Sequence, residues 1–290
     1  MARVLIGVPV DSVGRSGGTE HGPRALRELG LADAVGAADR GDLDVSIRGD
    51  ERDPDTGILA GGDVLAATAE IRSAVAGVVS AGGRPLLAGG CCSELPGALA
   101  GARDALGPVG LAYVDGHADL YDGETSTTGE AADMPISVIL GLGPGGWVEA
   151  AGGPGADAER TFLIGYRDRE ESIKDGMRQP EDLDHSPRLH PIEAVRSDGA
   201  RQTGERAAAS LADRGRFWLH LDVDVLDQEA FPATDYLMAG GMSWDELNEL
   251  LPPLLSCDAL IGASIACYNP DKDPGRTCGR ALVEALRPLL

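Results

Sequence analysis

The chain has 290 residues, 43% of them hydrophobic, enough to bury a full core as one domain over 1–290 without disulfides or a structural metal. Its 25 lysines and arginines face 47 aspartates and glutamates, and the formal charge of -22 repels phosphate backbones and anionic lipid, which argues against nucleic-acid and membrane partners. No apolar run approaches the roughly 20 residues of a membrane span, and five cysteines in a chain without a leader-like segment read as reduced thiols in a cytoplasmic protein.

In chain order, the apolar run 3–9 predicts a strand, and a helix follows over 22–30, opened by Pro23, whose missing N–H costs nothing in a first turn. A long helix over 62–82 precedes a strand at 85–89, a helix at 94–106 and a strand at 109–114. The Gly/Pro-rich stretch 141–156 reads as a surface loop, then a strand at 161–166, then a second loop at 178–191. The remainder alternates: helix 199–214, strand 217–223, helix 243–255 with a capping box from Ser243 and Glu246, strand 259–266 and helix 279–289. This alternation predicts an α/β fold with a mostly parallel sheet covered by helices on both faces. Ligands of such sheets bind beyond the carboxyl ends of the strands, so the residues after each apolar run are the ones to read for chemistry.

Three of those positions carry it. After 109–114 comes Asp115-Gly116-His117-Ala118-Asp119, two carboxylates and an imidazole at alternate positions, which project to one side if the segment stays extended. Hard oxygens with one imidazole suit a divalent cation such as Mn²⁺, and a carboxylate that can bridge suits two. After Phe217-Trp218-Leu219-His220-Leu221 come Asp222 and Asp224. Other Asp-x-Asp pairs lie in polar surroundings, but this one continues an apolar strand into the interior, where an unpaired charge is expensive unless a cation neutralises it. After 85–88 the turn Gly89-Gly90-Cys91-Cys92-Ser93 enters a helix, and on their own its two thiols read as inert buried side chains filling a crowded turn.

In this order GGCCS, VDGHADLYD and HLDVDVLDQEAFPAT resemble the signature blocks of the arginase/agmatinase (ureohydrolase) superfamily. Gly17 to Pro23, Ile164-Gly165-Tyr166-Arg167-Asp168 and Asn269-Pro270 are similar to three further family segments, so the resemblance runs from about residue 5 to 270. It implies a three-layer α/β/α fold and a metal-dependent hydrolase that holds two Mn²⁺ ions and a bridging hydroxide, which attacks the carbon of a guanidinium or amidine. It implies Cys92, Asp115, His117, Asp119, Asp222 and Asp224 as metal ligands, with Asp119 also the catalytic residue that passes a proton to the departing amine. It implies a small-molecule substrate contacted by Thr128, Glu130, Asp168, Glu170 and Cys267, and it leaves a homo-oligomer open, as family members form trimers or hexamers.

Departures from the family pattern bear on the substrate. Cys92 stands where arginases have a metal-binding histidine, a softer donor that moves preference towards Zn²⁺, Fe²⁺ or Co²⁺. Ala132 stands in place of the proton-shuttle histidine, and Cys267 in place of the glutamate that pairs with guanidinium. GGCCS, DGHAD, ETSTTG and HLDVDVL are more similar to the cysteine-for-histidine Nω-hydroxy-L-arginine amidinohydrolase branch, whose hydroxyguanidine has a lower pKa and makes weaker demands on a shuttle. Glu170 favours an amino-acid-like substrate, whereas Glu130 would repel an α-carboxylate, and a decarboxylated substrate reconciles the two. A formimino-type amidine hydrolase, a cysteine nucleophile and a catalytically inactive binding or regulatory relative remain as alternatives.

Overall fold

A computed structural model describes residues 1–13 and 17–287. Its centre is one eight-stranded sheet of β1 (Arg3–Val8), β2 (Ala37–Asp42), β3 (Arg84–Gly89), β4 (Gly110–Val114), β5 (Thr161–Ile164), β6 (Arg188–His190), β7 (Phe217–Asp222) and β8 (Leu260–Ala266). The order is β2-β1-β3-β8-β7-β4-β5-β6, and every strand pairing is parallel.

The inner strands are apolar on both faces because both faces are covered. In β7, Phe217, Leu219 and Leu221 join a core with Leu247, Leu250 and Leu254 of the helix Trp244–Leu255, while the intervening Trp218 points into a second core with Val75 and Leu99 on the other side. The helices Gly22–Glu28, Ala200–Asp213, Trp244–Leu255 and Thr277–Ala285 cover the first face, and Gly61–Ser80 and Leu95–Leu106 the second, giving the three-layer α/β/α arrangement. Each fully buried Leu or Phe contributes about 1.5–3 kcal/mol, so the central strands are the most firmly held part of the sheet.

The capping box is present: Glu246 N donates to Ser243 Oγ at 3.2 Å and Ser243 N to Glu246 Oε2 at 2.8 Å. The two predicted loops are partly ordered, since 141–156 contains the helix Gly145–Ala150 and 178–191 contains β6. Strand β2 has no apolar signal at all; its sequence is Ala-Ala-Asp-Arg-Gly-Asp and its register comes from β1 alone. The predicted end of the last helix at 289 lies outside the described residues. Among the described residues no helix is long and apolar enough to cross a membrane.

Candidate metal centre and cavity

The four adjacent central strands β3, β8, β7 and β4 point their carboxyl ends at one place. There they present Cys92, Cys267, Asp222 and Asp115 respectively. The turn after β3 fits only because residue 90 is glycine, since a Cβ there would lie 1.8 Å from the Val10 carbonyl oxygen. Gly90 in turn accepts a hydrogen bond at 2.9 Å from the amide of Cys267, which ties the ends of β3 and β8 together.

Asp115 and His117 meet Asp224 across the β4–β7 boundary. His117 Nδ1 lies 3.0 Å from Asp224 Oδ2 and 3.7 Å from Asp115 Oδ1, and the His117 amide donates to Asp115 Oδ1 at 2.7 Å. Asp224 Oδ1 accepts from Gly116 N at 3.0 Å, and Asp222 Oδ1 accepts from Asp224 N at 2.8 Å. Cys92 Sγ lies 2.7 Å from Asp222 Oδ2, 3.8 Å from Asp115 Oδ2 and 3.8 Å from Cys267 Sγ. Arg167 braces the loop beyond Asp224: its Nη2 donates to the Asp224 carbonyl at 2.8 Å and to those of Leu226 and Met238 at 3.1 Å.

Three donor groups result, each with atoms within 4.8 Å of one another: Asp115 with His117 and Asp224, Cys92 with Asp115 and His220, and Cys92 with Asp222 and Cys267. Asp119, predicted to join them by staying on one side of an extended segment, is in none. The segment is not extended there; Asp119 has a φ of 48°, and its Oδ2 accepts from the Tyr113 hydroxyl. It lines the cavity beside the donors.

Electrostatics shows what the cluster lacks. Burial, then the neighbouring Asp224 and Asp115, push the Asp222 carboxyl well above its ordinary range; burial and Asp115 do the same to Asp119. Burial and Asp224 raise Asp115 to about 6. Burial alone would lower His117, but Asp224 and Asp115 outweigh it and hold the imidazole in its cationic form; burial likewise would raise Asp224, and His117 pulls it down instead. One imidazolium cannot neutralise four buried carboxylates, and the cavity wall supplies no lysine or arginine among the described residues. Carboxylates, imidazole and thiol converging in the interior without enough cationic charge fit divalent cations.

The cavity above the cluster holds ≈330 Å³. Of the residues expected to contact substrate, Thr128, Glu130, Asp168 and Cys267 line it, with Ala132 beside them. Glu170 does not. It is exposed on the helix Arg169–Lys174, and its neighbour Glu171 faces the cavity, because one residue along a helix turns the side chain by about 100°. Asp168 Oδ2 accepts from Ala118 N at 3.3 Å. Glu130 Oε2 accepts from the hydroxyl of Tyr236, whose ring meets the His117 ring edge to face.

Sequence reading passed over four residues here: His220, Tyr236, Asp133 and Asp235. His220 carried a signal, a lone imidazole inside an apolar strand; it is fully buried, stacked on Tyr113 at 5.1 Å between centroids, and burial lowers its pKa to about 3, so it is neutral. Asp133, raised to about 7 by burial, accepts from Ser126 Oγ at 2.7 Å and lines the cavity with Asp235 and Tyr236.

The sequence model of the arginase family matches residues 2–290. The chain belongs to the arginase family. Membership makes the coarse activity metal-dependent hydrolysis of an amidino group. An arginase of Brevibacillus brevis is 27% identical over 96% of this chain and 94% of its own length. The solved structure of an arginase from Bacillus caldovelox superposes with a TM-score of 0.87 at 25% identity, covering 99% of this chain and 97% of that one. Proclavaminate amidino hydrolase of Streptomyces clavuligerus, at 20% identity, shares the fold with a TM-score of 0.73 over 99% of this chain and 90% of its own. In this chain, cysteines stand at the ends of both β3 and β8.

Proposed function

We propose that this chain is a binuclear-metal hydrolase cleaving a C–N bond of a guanidino or hydroxyguanidino compound that carries a distal amine and no carboxylate. The observation that carries the reading is the convergence of Cys92, Asp115, His117, Asp222 and Asp224 at the ends of β3, β4 and β7, all buried except the partly exposed His117, and short of positive charge. Asp115, His117 and Asp224 would hold one cation and Cys92 with Asp222 the other, and Asp115 and Asp222, at the ends of β4 and β7, would serve both. A bound pair of divalent ions supplies a water acidified towards neutral pH and Lewis acidity at the amidino carbon.

The chain's own groups do the rest. With Asp119 Oδ2 occupied by Tyr113, Oδ1 takes the proton of the attacking water and returns it to the departing nitrogen. No histidine stands at 132 to relay protons to solvent, which suits the lower pKa of a hydroxyguanidine. Glu130 and Asp133 line the same wall as Tyr236, with Asp235 paired to Lys272 at 2.7 Å, and no lysine or arginine among the described lining residues offers a cation to a substrate carboxylate. That wall attracts an ammonium and repels an α-carboxylate, so decarboxylated substrates are preferred over L-arginine.

The test is release of urea or hydroxyurea from agmatine, L-arginine, Nω-hydroxy-L-arginine and its decarboxylated counterpart, with Mn²⁺, Zn²⁺ or Co²⁺ added. Turnover highest on the decarboxylated compounds is expected. Turnover confined to substrates bearing an α-carboxylate would overturn the specificity, and no product from any of them with metal bound would favour a binding protein instead.

A further inference from the structure

The reading above leaves Cys267 facing substrate; the geometry points instead to Cys267 as a second thiolate ligand beside Cys92, making one of the two cation positions a two-sulfur site for a thiophilic ion such as Zn²⁺ or Co²⁺. This rests on the metal-centre reading and adds a ligand to it.

Three independent observations converge. The first is spacing: Cys92 Sγ and Cys267 Sγ are 3.8 Å apart, and two sulfurs bound at ~2.3 Å to one tetrahedral ion are separated by about 3.8 Å. Asp222 Oδ2, 2.7 Å from Cys92 Sγ, provides a third donor in the same group.

The second is backbone. Cys267 sits at a φ of 67°, in the left-handed region that a residue with a Cβ rarely adopts. Its amide is fixed to the Gly90 carbonyl at 2.9 Å, so the strain is held by the same turn that carries Cys92. Strain of this kind persists where the surroundings enforce it, and here it sets one sulfur against another.

The third is a hydrogen-bond chain that ends on sulfur. Trp218 Nε1, which can only donate, donates to Ser264 Oγ at 2.9 Å. The serine hydroxyl is then free to donate to His220 Nδ1, 2.7 Å away, which leaves the ring proton on Nε2, 3.2 Å from Cys92 Sγ. An N–H pointed at a sulfur stabilises a thiolate and orients a ligand, as outer-shell partners of metal ligands do. When the ion binds, two S–H bonds break, two S–metal bonds form, and both protons leave to solvent, with no change in oxidation state.

The experiment is Co²⁺ titration of the reduced, metal-free protein, following sulfur-to-cobalt charge-transfer absorbance in the near ultraviolet, with ¹¹³Cd NMR as a second count of sulfur donors. Wild type is expected to show two sulfur donors, C267S and C267A one each, and C257S, at a cysteine outside the cavity, the full wild-type band. C267S should also shift the competition between Zn²⁺ and Mn²⁺ by about tenfold towards Mn²⁺. If C267S and C267A keep the wild-type band and cadmium shift, the assignment of Cys267 is overturned while the hydrolase reading stands. If wild type takes up neither ion, both are overturned together.

Discussion

On the His117 side of the centre, backbone amides reach the carboxylates: His117 N serves Asp115 and Gly116 N serves Asp224, with the imidazole lying between them. On the Cys92 side, the N–H group facing sulfur among the described residues belongs to a side chain, His220, and the donors are two thiols and Asp222. The first side is a hard, partly compensated pocket; the second is soft and waits for its charge balance on whatever binds. If the proposed pair of cations binds, two neighbouring positions would hold ions of different preference, with Asp115 and Asp222 serving both. Geometry common to the family does not fix the metal; the donor at the end of each strand does.

Breaking what the two sides share has the largest effect. Asp222→Asn should abolish stoichiometric metal binding and lower kcat/KM on the order of 10³-fold or more, since several kcal/mol of transition-state stabilisation depend on the cations. Elemental analysis and steady-state kinetics check it, and a variant that keeps both ions and most of its rate would contradict the bridging role.

Removing the ions exposes the sign of the electrostatics. In metal-free protein Asp115 is raised from 3.8 to about 6, so its contribution is fully present below pH ~4 and lost as the pH passes about 6. Asp119 and Asp222, also raised, act in the same direction, whereas Asp224, lowered by His117, and His220, lowered by burial, contribute stability that is lost on acidification and offset part of the trend. The metal-free protein should thus lose thermal stability as the pH rises from 4 towards 7, and divalent metal should restore it. Thermal melts with and without chelator across that range decide, and a stability that rises with pH without metal would contradict the account.

Ser264→Ala sharpens the contrast between the sides. It removes the hydroxyl that fixes the His220 tautomer, and should weaken the Cys92-side ion by about tenfold while leaving the His117-side ion in place. Competition titration with a chromophoric chelator separates the two. The smallest effect is expected at the rim: Tyr236→Phe deletes the donor to Glu130 and should raise KM for a cationic substrate by a few-fold with little change in kcat, whereas equal losses in kcat and kcat/KM would place Tyr236 in the chemistry itself.

How far the sequence spoke for itself varies from residue to residue. The six inner strands were legible because burial on both faces writes an unbroken apolar run, and the chemistry followed from what came next on each run. Strands β2 and β6 were not, because edge strands need no apolar signal and take their register from a neighbour. Asp115 and His117 stay on one side as the spacing implied and meet Asp224, and Asp222 lies with Cys92 in the neighbouring group. Asp119 does not sit with them because spacing says nothing of a left-handed residue, and Glu170 was displaced by Glu171 because the phase of a six-residue helix cannot be read without its first turn. His220 went unassigned for a different reason: its partner Cys92 is 128 residues away, and a neutral buried imidazole looks in sequence like packing.

The most direct measurement is the metal content of protein purified without chelators, beside Asp115→Asn and Asp222→Asn purified in the same way. The account predicts about two divalent ions per wild-type chain, with sulfur-preferring metal represented, and near-empty variants that remain folded. Wild-type protein that is folded, stable and empty, and stays so after dialysis against Mn²⁺, Zn²⁺ and Co²⁺, would contradict it.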